Sequence, residues 1–481
     1  MKDRIAEDRA DDQDLSQFGY APQLQRSMGA FSSFAVSFSL ISVITGIFAG
    51  FSHGVGSFGT AVVWSWAVVL VGQFAVALVI ADLAARIPLS GYGYQWASRL
   101  VNPHYGYFVG WLLLLQFMTG FPGVCTALGN ELCGYFGFEA AMRPWVAVAV
   151  VGAIALVHLS GIRWAAVLND VGVSAEIVGC LAITLLLTVA AFHSPVQGPG
   201  VLFDRTAGDG LPAGLMGFSA SLLMGAWCLT GFEAAADLAE ETRRPRQTVP
   251  LAVVLSESSS GIVGFLLLAA LVFSIADLSS VQASDRPIQM ILEQRAGPTI
   301  SSVMMFVVFA SIFACGLASM AASTRLLFSL ARDNMLPLSS VLRKIDPTRR
   351  TPRGATVLVW LLSSAVVVGL RNIETITSVS VAAGYLGYGG ILAAVLLAGP
   401  KLPPSHAGAF SLGRWRRGCA AAAIVWLFAV VASLAAADWN GPANFLATRT
   451  TTAALGVGLV VYAAVVRPRL RGGRAGPPPS S

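Results

Sequence analysis

The chain has 481 residues, 55% hydrophobic and only 12% charged, with a formal net charge of +6 and a mean hydropathy of +0.70. Soluble globular domains carry about a quarter charged residues, so composition excludes that class. The positive charge is sorted between loops of a membrane protein, so the pI of ≈ 9.1 calls for no nucleic-acid partner.

Residues 1–30 form an acid-rich tail, with Asp3, Glu7, Asp8, Asp11, Asp12 and Asp14. It lacks the positive region, apolar run and cleavage site of a secretory signal and is expected to be mobile. Crossing a bilayer takes about 20 apolar residues. Such runs lie at 31–50, 58–81, 105–133, 144–160, 166–192, 213–236, 250–275, 299–326, 354–370, 374–398, 418–437 and 450–466. They predict one all-α membrane domain of twelve transmembrane helices over 31–466. Residues 467–481 read as a disordered basic, Pro-rich tail touching lipid headgroups.

An even span count puts both termini on one side. That side collects 25 of the 31 Lys and Arg residues, leaving Arg143, Arg205, Arg286, Arg295, Arg371 and Arg449 on the other. The positive-inside bias makes both termini cytoplasmic, in a multi-pass cytoplasmic-membrane protein.

In the first span stands Thr45-Gly46-Ile47-Phe48-Ala49, and in the sixth Thr230-Gly231-Phe232-Glu233-Ala234. Gly is frequent in membrane helices for close packing. Matching interruptions in two halves of a membrane protein point instead to a transporter's binding site, because backbone freed at mid-membrane must line a cavity. The first half-helix is expected to end near Thr45 and its partner to begin after Gly46. Its N–H groups would then face a substrate carboxylate.

Between these spans, residues 82–104 suit an interfacial helix broken by Pro88 and Gly91, with its aromatics at the headgroups. Glu176 lies about ten residues, ~15 Å, inside span five. It either carries a proton, or stays ionised and holds Na⁺ or a cationic group with Ser319 and Ser323, which share a helix face. Trp227 could cover a substrate ammonium with its ring. Glu233, costly to bury as an ion, could bind a substrate amine, titrate, or, as the favoured role, tie the two half-helices together by hydrogen bonds. Glu131 and Glu257 read as structural acids. Residues 287–292 read as an outer lid helix or a plain surface helix. The six cysteines read as small core residues, and the histidines recur at no metal-ligand spacing. No metal, cofactor or enzymatic nucleophile–base pair is expected.

The stretch Ala81-Asp82-Leu83-Ala84-Ala85-Arg86-Ile87-Pro88-Leu89-Ser90-Gly91-Tyr92-Gly93-Tyr94-Gln95-Trp96 resembles the segment after the second helix of amino acid–polyamine–organocation (APC) permeases. Asp82 replaces the usual Glu there, and Tyr92 the second Gly. Thr230-Gly231-Phe232-Glu233 through Ala239-Glu240-Glu241-Thr242 to Pro250 is similar to that superfamily's sixth helix and loop. Ala318-Ser319-Met320 through Ala331-Arg332-Asp333 resembles the end of its eighth. Trp64-Ser65-Trp66 hints at the amino acid/choline branch, which includes γ-aminobutyrate carriers.

The resemblance covers about residues 28–466 and implies a LeuT-like fold. Spans 1–5 and 6–10 would be inverted repeats, 11–12 peripheral, and helices 1 and 6 discontinuous. It also implies Trp227 as a thin gate. In several relatives a Lys takes the place of a sodium ion at the Glu176 position, so the charge here is reversed. The expected function is alternating-access transport of an amino acid or related amine such as γ-aminobutyrate, with H⁺ or Na⁺ as coupling ion and H⁺ preferred. The alternatives are a solute sensor without transport, or a carrier of polyamine- or choline-type cations. The sequence leaves the oligomeric state open.

Overall fold

The structure is a computed structural model describing residues 15–21, 26, 28–205, 211–346, 351–399, 402–404, 406, 408–440 and 445–479, side chains excepted at 162–166, 211–213 and 440. The acidic positions from Asp3 to Asp14 lie outside the described residues. The long elements are all helices, as lipid demands of a chain that must satisfy every backbone group internally.

The first span is α1 (Ala30–Ile41) and α2 (Val43–Phe58), and the second is α3 (Val62–Arg86). Then come α4 (Tyr92–Leu100), α5 (Pro103–Phe136), α6 (Arg143–Ser160), α7 (Ile162–His193), α8 (Leu211–Cys228), the short α9 (Ala234–Asp237) and α10 (Pro245–Phe273). After α11 (Pro287–Ala296) follow α12 (Pro298–Arg332), α13 (Arg353–Leu370), α14 (Ile373–Ala398), α15 (Arg416–Asn440) and α16 (Leu446–Val461). Ten helical stretches among the described residues are long and apolar enough to cross a membrane. One of them, Ala30–Arg86, contains the first two predicted spans, and the interrupted sixth leaves the shorter apolar helix Gly214–Cys228.

Local chemistry sets the helix starts. The Asn102 side chain accepts from Tyr105 N–H, with Pro103 at the first helical position of α5. Asn372 caps α14 by accepting from Thr375 N–H. Each satisfies one of the four N–H groups that a helix start leaves without a partner.

The first span packs on the sixth (α2 on α8), the second on the seventh (α3 on α10) and the third on the eighth (α5 on α12), while α14 covers α5. The outer helices α6, α13, α15 and α16 turn apolar side chains outward, among them Leu361, Phe428 and Val460. Polar residues collect inward, around α1, α2, α5, α8 and α12.

Two expectations are corrected here. Helix α4 is not interfacial: Tyr92, Tyr94 and Trp96 have no exposed surface, and the Trp96 indole N–H donates to the Ile87 carbonyl. Buried rings need hydrogen-bond partners; the interior supplies them to Tyr94 and Trp96, while the Tyr92 hydroxyl has none among the described residues. The described parts of the tails are also not free. Leu15, Phe18 and Tyr20 are buried on the face that carries both described ends of the chain, hereafter the basic face. From the other end of the chain, Gly476 N–H donates to the Asp333 carbonyl there. The sequence read as tail because charge dominates it, while a few aromatics anchor it.

On the face opposite the basic one, α11 buries Ile288, Ile291 and Leu292 against α12, α7 and α2. It is a packed helix.

Candidate functional site

Both predicted interruptions exist, but the first lies elsewhere than expected. The chain leaves helix at Ser42 (φ 37°, ψ 89°), between α1 and α2. Gly46 sits inside α2, its N–H donating to the Ser42 carbonyl. What Gly46 supplies is proximity: a Cβ there would stand 2.3 Å from the Cβ and Sγ of Cys228. The packing explanation therefore holds for Gly46, and the break explanation for Gly231, whose φ of 110° only glycine adopts without strain.

The freed backbone can be accounted for group by group. Carbonyls at the end of α1 are met by thiols: Cys228 Sγ lies 3.5 Å from Ile41 O and 3.6 Å from Ser42 O. Cys315 Sγ lies 3.6 Å from Leu40 O. These two cysteines are thus weak donors to orphan carbonyls, a role the core-filler reading missed. At the second break Gln73 Nε2 donates to Leu229 O at 2.9 Å. Gly231 N–H donates to Glu233 at 3.0 Å. Ser37 Oγ donates to Phe232 O and accepts from Ala235 N–H, both at 2.9 Å, and so ties α1 to α9. Glu233 ties its own turn to α5, accepting from Gln116 Nε2 at 3.4 Å. Ser37 and Cys228 link the first and sixth spans, and no local pattern marks Ser37 for that role.

Between the two breaks lies a cavity of about 40 Å³, lined by Thr45, Gly46, Trp227, Thr230, Gly231 and Ser319 among the predicted residues. Gln116, Phe117 and Phe121 of α5, Cys228, Cys315, and Ser380 of α14 complete much of the wall. None of the lining side chains is charged. Trp227 also lines a smaller pocket with His53 and Glu374, so its ring stands between the two spaces.

The remaining predicted residues sit behind the wall. Ile47 is buried in α2, and Phe232 stacks on Tyr388 at 5.7 Å. Ser323 Oγ donates to Ser319 O within its own helix.

Glu176 is fully buried. Its carboxyl faces the Ser42 hydroxyl and the Val43 and Ile44 amides, though neither oxygen has a hydrogen bond of normal geometry. The N-terminal end of α2, which the sequence reading assigned to a substrate carboxylate, thus already faces a carboxyl group of the chain itself. Ser319 and Ser323 are not among the groups that face it.

A family model described as amino acid permease matches residues 28–465. The chain belongs to the amino acid permease family. Among its relatives is the amino-acid permease BAT1 homolog of Oryza sativa subsp. japonica, 25% identical, covering 86% of this chain and 85% of its own length. The amino-acid permease BAT1 of Arabidopsis thaliana is 24% identical and covers 86% of both chains. A Candida albicans relative whose name points to polyamine transport is 23% identical over 84% of this permease and 77% of its own length. The permease is therefore a multi-pass membrane protein of the APC superfamily, and its cavity lies where two of its helices lose their backbone regularity.

Proposed function

We propose that this permease is a secondary active transporter of a small neutral amino acid, of the α or γ type, working by alternating access across the cytoplasmic membrane and coupled to protons. The observation that carries the reading is the uncharged cavity between the breaks. A zwitterion suits it. The C-terminal ends of α1 and α8 favour an ammonium, and the Thr45 and Ser319 hydroxyls on the wall can meet a carboxylate. A polyamine would bring several ammonium groups to a wall with no carboxylate, at the full cost of desolvating each.

At about 40 Å³ the cavity holds a few waters at most, since one water takes roughly 10–15 Å³ on this measure. This supports a closed state in which Trp227 is the thin outer gate. Pairing of first with sixth, second with seventh and third with eighth spans is what five-span inverted repeats would produce. The sorting of 25 of 31 cationic residues supports cytoplasmic termini.

Glu176 is the proton carrier in this reading. Among the described residues it has no cation beside it, but a hydroxyl and two amides of the break and the thiols of Cys180, Cys228 and Cys315, and a buried unpaired carboxylate is costly. Loading a proton would let the bundle close over it.

Purified permease in liposomes tests this. Uptake of a neutral amino acid with alkalinisation outside is expected. Uptake without alkalinisation would rule out proton symport, and uptake of putrescine alone would overturn the substrate class.

A further inference from the structure

A space larger than the cavity between the breaks lies on the basic side of the bundle. It is a chamber of about 280 Å³ walled by α1, α6, α7, α12 and the start of α13. That volume is at the lower end of the range for small-molecule sites, about 300–1,000 Å³. Val36, Leu238, Leu317 and Ala321 give it apolar walls.

Its polar groups ask for hydrogen-bond donors. Arg325 is already taken by Glu241, with contacts of 2.6 and 3.4 Å, so that pair is neutral as a unit. Thr324 and Thr356 donate back into their own helices, and the Asn169 amide oxygen accepts from Ser39.

Besides the Ser32 hydroxyl and the Asn169 amide nitrogen, three groups are left. Asp170 lines the chamber and has no ion pair among the described residues. Thr351 is 5% exposed, and its hydroxyl has no partner among the described residues. His158 meets the Leu317 carbonyl through Nε2 at 3.0 Å. A carbonyl can only accept, so Nε2 carries the hydrogen, and Nδ1 of the neutral ring is an acceptor. A carboxylate, an imidazole nitrogen and a free hydroxyl over apolar walls are matched by an ammonium on an apolar body.

We propose that this chamber is a second binding site, distinct from the cavity between the breaks, for a small amphiphilic organic cation with a primary or secondary amine. The amine lies on Asp170, within reach of Thr351 and His158, and the apolar part lies against Val36 and Leu317. Ser32 and Val36 present one face of α1 to the chamber, so an occupant braces that half-helix against α7 and α12. If the proposed transport cycle holds, such a ligand inhibits without competing with substrate. Binding itself does not depend on that cycle.

The test is ligand-induced thermal stabilisation of the purified full chain, with 2-phenylethylamine as probe and phenylacetate and 2-phenylethanol as controls. Saturable stabilisation by the amine alone is expected, weakened at least about tenfold in Asp170→Asn, the loss of one charge-assisted hydrogen bond. Ala321→Leu, which narrows the chamber, should weaken it similarly, while Ser380→Ala, in the other cavity, should leave it intact. Equal responses to all three probes, full binding in Asp170→Asn and Ala321→Leu, or loss only in Ser380→Ala would each overturn the assignment. Failure of amino acid uptake in liposomes would leave it standing.

Discussion

The Tyr20 hydroxyl reaches both carboxylate oxygens of Asp333, at 2.9 and 3.0 Å, across 313 residues of sequence. Tyr94 donates to the same carboxylate at 2.8 Å and Gln95 at 3.0 Å. The Arg332 guanidinium covers the Tyr20 ring at 3.8 Å. Arg99 donates to Phe18 O at 2.8 Å and lies over the Phe18 ring. Residues 15–21 are thereby latched across the end of α12 on the basic face. Burial and the neighbouring Asp333 push the Tyr20 phenol well above its ordinary range, so it remains a donor at any physiological pH.

Tyr20→Phe should release this latch. The lost bond ends on a charged group, so a cost of about 1.5–3 kcal/mol is expected. Amide exchange is the direct reading: protection at residues 15–21 should fall while that of α5 and α12 stays unchanged. Unaltered protection at 15–21 would show that the phenol contributes nothing.

Stability should also depend on pH through the carboxyl of the latch. Burial, the largest effect, raises the Asp333 carboxyl above its ordinary value, with Arg332, Tyr94, Tyr20 and Gln95 pulling it partly back. A raised carboxyl binds its proton more tightly in the folded than in the unfolded chain. Its contribution to stability is therefore complete below about pH 4, the ordinary Asp value, and is lost as pH rises through the raised value. Thermal stability should decline across that window, and Asp333→Asn should flatten the decline.

Arg325 and Glu241 form a buried pair at 2.6 Å. Arg325→Ala leaves a buried carboxylate without its cation and should cost about 3–5 kcal/mol in thermal unfolding. Replacing both partners, Arg325→Met with Glu241→Leu, should recover most of that loss. A double variant as unstable as the single one would mean that the pair holds the α12 end by more than charge.

Gly46 and Gly231 should respond differently. Gly46→Ala places a Cβ 2.3 Å from Cys228 side-chain atoms, an overpacking cost of about 1–3 kcal/mol that Cys228→Gly should relieve. Gly231→Ala is strained by its own backbone, with φ at 110°, and approaches the Leu40 carbonyl carbon at 3.0 Å. A cost of about 1–3 kcal/mol is expected for that backbone, with no rescue at Cys228. Equal rescue of both in melting experiments would refute the distinction.

Much of the fold was legible because hydrophobic run length and Lys/Arg sorting are set by the bilayer. The break at Gly231 was legible because its conformation demands glycine. The break at Ser42 was hidden, since serine carries no such mark and Gly46 nearby imitates one. Glu176 was visible as an acid too deep to reach water. Gln116 and Ser380 were missed because a lone polar residue in an apolar run looks the same on any face. Only tertiary packing brings α5 and α14 to the cavity. The docking of Tyr20 was missed because its partner, Asp333, is too distant in sequence for any local pattern to reveal it.

Cys315 lines the cavity between the breaks and offers the most direct measurement. In a permease whose other five cysteines are exchanged for serine, the rate at which a small thiol reagent modifies Cys315 is followed in liposomes. A transported amino acid should slow modification in proportion to its occupancy. If an amino acid that the permease carries leaves that rate unchanged at saturation, the substrate does not reside between Ser42 and Gly231.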